Sequence, residues 1–259
     1  MRTPYFEIHS FTNRRFGGNP AGVCPLDRWI DEAVMQALAA ENNLSETAFF
    51  VPRGEDFELR WFTPAKEIDL CGHATLASAW VMFHRRGFSK GAITFHSESG
   101  PLTVRRDGDR LALDFPSRPA VPCEAPAALA AALGAPPRET ALARDLMCVY
   151  AEEREVRAMR PDIAALAALD LHAVIVTAPG TDADFVSRFF APGVGVAEDP
   201  VTGSAHCTLI PYWSRRLGKP KLFARQVSAR GGELWCEDRG PRVTIAGHAT
   251  LYLEGTIEV

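Results

Sequence analysis

The 259-residue sequence predicts an α+β fold made of two similar halves. Short segments with the alternating pattern of β-strands fill both halves, and each half has one long helical segment that begins at a glycine. The segment GHATLASAWVMFHRRG, from Gly72 to Gly87, has the same length as GSAHCTLIPYWSRRLG, from Gly203 to Gly218. A Phe-X-Pro triplet precedes each of them, at 62–64 and 190–192. This shared order indicates an internal duplication.

In the first half, the pattern predicts a strand over 5–11 and then a turn at RRFGGNPAG. A helix with Asp27 as N-cap is predicted to end near Asn42 and Asn43. Strands follow at LSETAFFV and FELRWF, then the helix from Gly72, and then a hairpin with a turn at Asp107 and Gly108.

In the second half, the Pro- and Ala-rich residues 116–138 predict a linker and a short helix. LMCVYAEE, REVRAMR, HAVIVTAP and DFVSRFFAP are predicted as strands, and Pro161 is predicted to begin a helix. We therefore expect domains at 1–117 and 118–259, with the last strand able to return to the first domain.

Composition narrows the function classes. A hydrophobic content of 47% suffices for a large core, and a net charge of −4 offers no basic surface for nucleic acid or an anionic membrane. No apolar run reaches the roughly 18 residues of a membrane-spanning helix, and we expect no signal peptide before the first strand. The six cysteines are scattered without a CxxC pair, which predicts neither zinc nor disulfides. We expect a cytoplasmic protein.

The openings of the two matched helices are candidate anion sites. The first turn of a helix presents unpaired N–H groups and a partial positive charge, which favour a carboxylate. Gly72 and Gly203 allow close approach of a ligand to this backbone. If the duplication places the halves face to face, both openings point into one interdomain cleft. The alternative is that these small residues serve helix packing alone.

Several motifs make the resemblance to a known family specific. GGNPAGV (17–23), NLSETAF (43–49), FTPAKEIDLCGHAT (62–75) and EDPVTGSA (198–205) resemble the phenazine-biosynthesis PhzF-like family, and QVSARGGEL also fits it. The resemblance implies the diaminopimelate-epimerase-like fold, in which each domain is a β-sheet curled round a central helix. It also implies a homodimer and a reaction such as the isomerisation of a dihydrohydroxyanthranilate. This sequence has CGHAT where the phenazine enzyme is expected to have AGHP. Because of this difference, the resemblance does not identify the substrate.

The resemblance also implies roles for individual residues. Glu46 matches the family's acid/base carboxylate, and the other matched site positions are His73, Asp199 and Ser204. Apolar neighbours are expected to raise the pKa of Glu46, and a helix N-terminus is expected to keep His73 neutral.

Asp199 is then expected to orient His73 or to hold a substrate amine. Ser204 and the amides that follow Gly72 and Gly203 are expected to bind the substrate carboxylate. We expect no metal and no cofactor, because the step only moves a proton on carbon.

Each assignment has a structural alternative. Glu46 could be a solvated residue at a strand start, and His73 a structural histidine. Asp199 could begin a turn next to a rival acid, Glu198, and Ser204 could be only a good residue for a helix start. His206 and His248 are predicted to be structural.

Cys71 precedes the first helix opening. In related cofactor-independent racemases a cysteine stands at both openings, but here the second position is Thr202, which disfavours two-thiol racemisation. A one-thiol reaction, such as elimination of water from a hydroxy amino acid, stays open, as does a purely structural thiol.

The sequence therefore predicts a cofactor-independent isomerase that moves a proton on a small carboxylate-bearing substrate, with Glu46 as acid/base. The alternatives are an amino-acid epimerase or dehydratase that uses Cys71, and a carboxylate-binding protein without turnover.

Overall fold

The computed structural model describes residues 2–259, which form two compact units. The first unit comprises the residues up to Asp114 together with Ala246–Val259, and the second comprises Phe115–Ile245. The division expected from the sequence falls after residue 117.

The elements follow the chain in an α+β order. The first part contains β1 (Arg2–Ser10), β2 (Asn19–Pro25), α1 (Glu32–Asn42), β3 (Glu46–Arg53), β4 (Asp56–Phe62), β5 (Glu67–Ile68), α2 (Gly72–His84), β6 (Ala92–Ser97), β7 (Gly100–Asp107) and β8 (Arg110–Pro116). The rest contains β9 (Val121–Pro122), α3 (Leu129–Leu133), β10 (Glu139–Leu142), β11 (Leu146–Val149), α4 (Glu153–Ala158), α5 (Ile163–Ala167), β12 (Val174–Pro179), β13 (Phe185–Ala191), a 3₁₀ turn (Pro192–Val194), β14 (Val196–Asp199), α6 (Gly203–Leu217), β15 (Lys221–Gln226), β16 (Gly232–Asp238), β17 (Arg242–Gly247) and β18 (Ala249–Glu258).

In the first unit, one sheet surrounds a buried helix. β1 lies between β18 and β2 and is antiparallel to both, β2 runs parallel to β3, and β3 is antiparallel to β4. β4 then pairs with β6 in parallel, and β6, β7 and β8 form an antiparallel meander. Helix α2 packs against β1, β2, β3 and β7. Its residues are apolar or small on every face, which is typical of a helix enclosed by a core.

The second unit repeats this plan with another order of strands. β9, β10 and β11 are antiparallel, β11 runs parallel to β12, and β12 is antiparallel to β13. β13 also pairs with β15 in parallel, and β15 is antiparallel to β16. Helix α6 packs against β15 and β16 and buries most of its first three turns. The predicted fold, a curled sheet round a helix in each half, is confirmed.

Helix α6 tolerates a proline because another amide takes over the lost hydrogen bond. Pro211 lies inside the helix and has no N–H to donate to the carbonyl of Cys207, four residues earlier. The backbone N–H of Arg118 donates to that carbonyl instead, at 2.9 Å. The buried acceptor is thereby satisfied, and the helix continues to Leu217.

The prediction of Asp27 as the N-cap of α1 is wrong. The cap is Asp31, whose carboxylate accepts the backbone N–H of Ala33 at 2.8 Å. The segment before it stays outside the helix, where the indole N–H of Trp29 donates to Glu58 at 3.0 Å.

Two predictions in the second half are also wrong. REVRAMR is not a strand, because its first residues lie in α4. Glu152 and Glu155 form a capping box there, and Glu153 pairs with Arg157 one turn later. Pro161 does not begin a helix either, because α5 starts at Ile163 with Asp162 as its N-cap.

No helix within residues 2–259 is long and apolar enough to cross a membrane. The six cysteines are all free thiols, and only Cys123 is more than slightly exposed.

Candidate active site

Glu46 and His73 meet inside the first unit. Glu46 is the first residue of β3, paired in register with Ala21 of the parallel strand β2. His73 lies in the first turn of α2, which begins at Gly72. Its Nε2 is 3.2 Å from Oε2 of Glu46, and the two side chains are only 5% and 14% exposed. The structure thus places the predicted base and the predicted histidine in direct contact.

The other side of the imidazole faces three further groups. Nδ1 of His73 lies 3.4 Å from the sulfur of Cys71 and 3.3 Å from Nδ2 of Asn19. A hydrogen bond also links the ring to the backbone carbonyl of Pro20. The hydroxyl of Ser10 donates to the backbone carbonyl of His73 at 2.7 Å. The ring is therefore held by the side chain of Cys71 and by β2, while Ser10 of β1 holds the backbone of His73.

Burial keeps His73 uncharged. It lowers the pKa of His73 to about 3, although the Pro20 carbonyl acts in the opposite direction. The contact with Glu46 is consequently a close approach of a carboxyl oxygen to a neutral imidazole rather than an ion pair. This agrees with the neutral state predicted from the sequence, with burial as its main cause.

A neutral imidazole carries one N–H, which can lie on either ring nitrogen. The 3.2 Å approach therefore places Glu46 beside a group that is uncharged in both tautomers.

Asp199 and Thr202 occupy the start of α6, in the second unit. The hydroxyl of Thr202, the N-cap residue, donates to Oδ2 of Asp199 at 2.5 Å. Gln226 accepts the backbone N–H of Thr202 at 2.8 Å and donates to the backbone carbonyl of Asp199 at 2.7 Å. The acid predicted as a site residue is thus tied to the helix opening.

Ser204 is part of a charged network. Its hydroxyl accepts a hydrogen bond from Arg144 at 3.0 Å. The guanidinium of Arg144 also binds both oxygens of Asp145, which is buried and contacts His172 at 2.8 Å. Ser204 therefore does more than start a helix, because it positions a cation beside the first turn of α6.

The rival acid and the two remaining candidate histidines have structural partners. Glu198 forms a two-point ion pair with Arg188, at 2.7 and 2.9 Å. His206 contacts the backbone carbonyl of Thr202, and His248 contacts Asp109.

Residues of these networks that were not predicted from the sequence include Ser10, Asn19, Arg144 and Gln226. Asn19 and Gln226 had a signal, because they lie in the quoted motifs GGNPAGV and QVSARGGEL. Ser10 and Arg144 lie far along the chain from their partners, outside the quoted motifs.

Glu46, Cys71 and His73 each offer a donor atom within 4.8 Å of the others. However, the thiol faces Nδ1 while the carboxylate faces Nε2. The thiol and the carboxylate therefore approach different nitrogens of the same imidazole.

Comparison with known proteins identifies the family. The sequence model of the family described as phenazine biosynthesis-like protein matches residues 8–255. The chain belongs to this family. A relative from Pseudomonas aeruginosa, named as an uncharacterized isomerase, is 51% identical over the full length of both chains. The human phenazine biosynthesis-like domain-containing protein is 41% identical and covers 99% of each chain.

Solved structures agree with the fold. A phenazine biosynthesis protein of the PhzF family from Enterococcus faecalis superposes with a TM-score of 0.97, at 48% identity and full coverage of both chains. A hydroxyproline epimerase from Agrobacterium vitis shares the fold at 10% identity, with a TM-score of 0.66 and coverage of 99% and 92%. The names of the relatives support an isomerase.

Proposed function

We propose that the chain is an isomerase that moves a proton on carbon in a small carboxylate-bearing substrate, with Glu46 as the acid/base group. The observation that carries this proposal is the 3.2 Å contact between Glu46 and the neutral, buried His73 at the opening of α2. We also propose that this reaction needs no cofactor and no metal. The homodimer and the cytoplasmic location stay predictions from the sequence.

The reaction needs one group that takes and returns a proton. The Glu46 carboxylate removes a proton from a carbon activated by a neighbouring carboxylate or by conjugation, and the resulting carboxylic acid returns it to another carbon. The neutral His73 lies beside this carboxyl group and adds no charge to it. The backbone N–H groups in the first turn of α2 would donate hydrogen bonds to the negatively charged carboxylate of the substrate.

The opening of α6, in the second unit, carries candidate binding groups of its own. We propose that Asp199 holds a substrate amine and that Ser204, with the amides after Gly203, binds a carboxylate. Arg144, which donates to Ser204 and pairs with Asp145, holds this hydroxyl in place.

Proton NMR in D₂O tests the reaction directly. The panel consists of dihydrohydroxyanthranilate and small cyclic and amino carboxylic acids. We expect the wild-type chain to introduce solvent deuterium at carbon into at least one compound. Glu46→Gln should lower that rate by about 10²- to 10⁴-fold, because it removes the group that transfers the proton.

Glu7→Gln is the matched control. Glu7 also lies 3.3 Å from a buried histidine, His9, with a side chain 16% exposed. Glu7 resembles Glu46 in its burial and in having a histidine as its partner. The deuterium exchange rate of the Glu7→Gln variant should therefore equal that of the wild type. Equal rates for Glu46→Gln and the wild type would refute the proposal. If the wild-type chain binds compounds of the panel but exchanges deuterium into none of them, the alternative function of a carboxylate-binding protein without turnover would be favoured.

One observation favours a second candidate function. The thiol of Cys71 contacts the same imidazole as Glu46, which fits an epimerase or dehydratase that uses a single thiol. Exchange that disappears in Cys71→Ala but persists in Glu46→Gln would establish that alternative.

A further inference from the structure

We propose that a groove at one end of the first unit binds a small organic phosphate, with the phosphate group on its arginines and the organic part on its apolar floor. The groove has a volume of about 460 Å³, which suits a small molecule. Its walls come from the start of β1, from the segment that follows β2, and from the residues just after α2. The inference goes beyond the proposed isomerase, because it concerns binding without turnover at another place in the unit.

The groove lies at the far end of the elements that build the candidate active site. His73 stands in the first turn of α2, whereas Arg86 follows the C-cap of the same helix. The 13 residues of α2 span about 20 Å, at a rise of about 1.5 Å per residue. A small ligand in the groove is therefore out of reach of His73 and Glu46.

The charge of the groove favours an anion. Three guanidinium groups line it, those of Arg2, Arg28 and Arg86, against one carboxylate, that of Asp27. Arg2 is paired with Glu258 at 3.2 Å. Arg28 and Arg86 are exposed, and neither forms an ion pair within the part of the chain that the structure describes. Guanidinium groups bind phosphate oxygens through parallel hydrogen bonds, so these two side chains are the main candidates for holding a phosphate.

A buried hydroxyl lies beside these arginines. Thr3 lines the groove and is only 2% exposed. Its hydroxyl forms no hydrogen bond with any other residue from 2 to 259. A polar group that is buried without a partner costs free energy, and a phosphate oxygen would supply the missing acceptor.

The floor of the groove selects for an apolar part of the ligand. Pro4 and Pro25 line it together with Leu26, which is 6% exposed. These side chains carry no charge and no hydrogen-bonding group, so an apolar body gains free energy by covering them. The groove therefore fits a phosphate attached to a small apolar body better than it fits inorganic phosphate.

Isothermal titration calorimetry of the full chain tests the site. The probes are phenyl phosphate, inorganic phosphate and phenol, at low salt in a buffer without phosphate. We expect saturable binding of phenyl phosphate, weaker binding of inorganic phosphate and no measurable binding of phenol. Binding should weaken as the salt concentration rises, because added ions screen the exposed arginines.

The decisive variant combines Arg28→Gln with Arg86→Gln, because both side chains are exposed and their replacement leaves the core intact. It should lower the affinity for phenyl phosphate by about tenfold or more. Thr3→Val removes only the hydroxyl and should also lower the affinity. The matched control combines Arg105→Gln with Arg138→Gln, which removes the same charge from exposed positions outside the groove. Its affinity should equal that of the wild type.

Several outcomes would overturn the proposal. They are the absence of phenyl phosphate binding by the wild type, equal affinity in the wild type and the Arg28 and Arg86 variant, and an equal loss of affinity in the control. Binding that is lost in Ser204→Ala but kept in the Arg28 and Arg86 variant would place the ligand at the opening of α6 instead.

Vesicles of phosphatidic acid in phosphatidylcholine distinguish a lipid headgroup from a soluble ligand. Binding to these vesicles, with no binding of phenyl phosphate in solution, would overturn the assignment of a small soluble phosphate. Because none of these measurements depends on turnover, their result is independent of the deuterium exchange experiment.

Discussion

Two buried histidines lie near the openings of the two central helices, but they have different partners. His73 of α2 contacts the side chains of Glu46, Cys71 and Asn19. His206 of α6 instead contacts a backbone carbonyl, that of Thr202, at 2.8 Å, and its ring packs beside Phe185. Two partners of His73, Glu46 and Cys71, can themselves gain or lose a proton, whereas the partners of His206 cannot.

His206 should make stability depend on pH. Burial lowers the pKa of His206 to about 4, whereas an unfolded histidine has a pKa near 6.5. Between these values the unfolded chain binds a proton that the native chain does not. Stability is therefore present above the unfolded pKa and is lost as the pH falls toward about 4. The slope from His206 is up to about 1.4 kcal/mol per pH unit.

Urea unfolding at several pH values in this interval checks the effect. His206→Gln should flatten the dependence of the unfolding free energy on pH, whatever it does to stability at neutral pH. Part of the slope should remain, because His73 is also buried and neutral. An unchanged slope in the variant would contradict the assignment.

At the scale of the element, the start of α1 shows how local chemistry selects between two candidate caps. Asp27 and Asp31 both precede a segment with apolar residues at helical spacing. Only the carboxylate of Asp31 accepts a hydrogen bond from a backbone N–H of the first turn. Asp31→Ala should lower the free energy of unfolding by about 1 kcal/mol, because the N–H of Ala33 loses its acceptor. Asp27→Ala, at an exposed position, should change it by less than about 0.5 kcal/mol. Denaturant titration of the two variants measures the difference, and equal losses would contradict it.

At the scale of the whole molecule, the last strand completes the first unit. β18 pairs with β1 along its length, from Arg2 opposite Glu258 to Ser10 opposite Ala249, with one irregularity after Glu7. Because β1 also pairs with β2, it is an interior strand only while β18 is present. The core of this unit therefore depends on residues from both ends of the sequence.

Removal of residues 249–259 should destabilise the first unit selectively. Each lost backbone hydrogen bond costs about 0.5–1.5 kcal/mol, so the loss along β1 approaches the roughly 5–15 kcal/mol stability of a typical domain. Hydrogen exchange should show lost protection of the amides of β1 and β2, with β12 and β13 in the second unit less affected. Uniform loss of protection in both units would contradict this expectation.

Much of the fold could be predicted because the patterns are local. Alternation predicts β3 and β4, and the small-residue run predicts α2. The failure at REVRAMR has a local cause as well, since the capping box of Glu152 and Glu155 outweighs the alternation that suggested a strand. Asn19, Cys71 and Gln226 could not be assigned to their partners, because those contacts depend on strand register and on how the helices are seated.

The sequence by itself determined the α+β class, the repeated helix opening and the family motifs, and it singled out Glu46 and His73 as separate candidates. These follow from periodicity and from residue types at short spacing. Only the tertiary structure decided that Cys71 and Glu46 contact opposite nitrogens of one ring, that burial holds His73 neutral, and that β18 joins β1. The physical reason is that distances, desolvation and strand partners arise between residues far apart in the chain, where no local pattern specifies them.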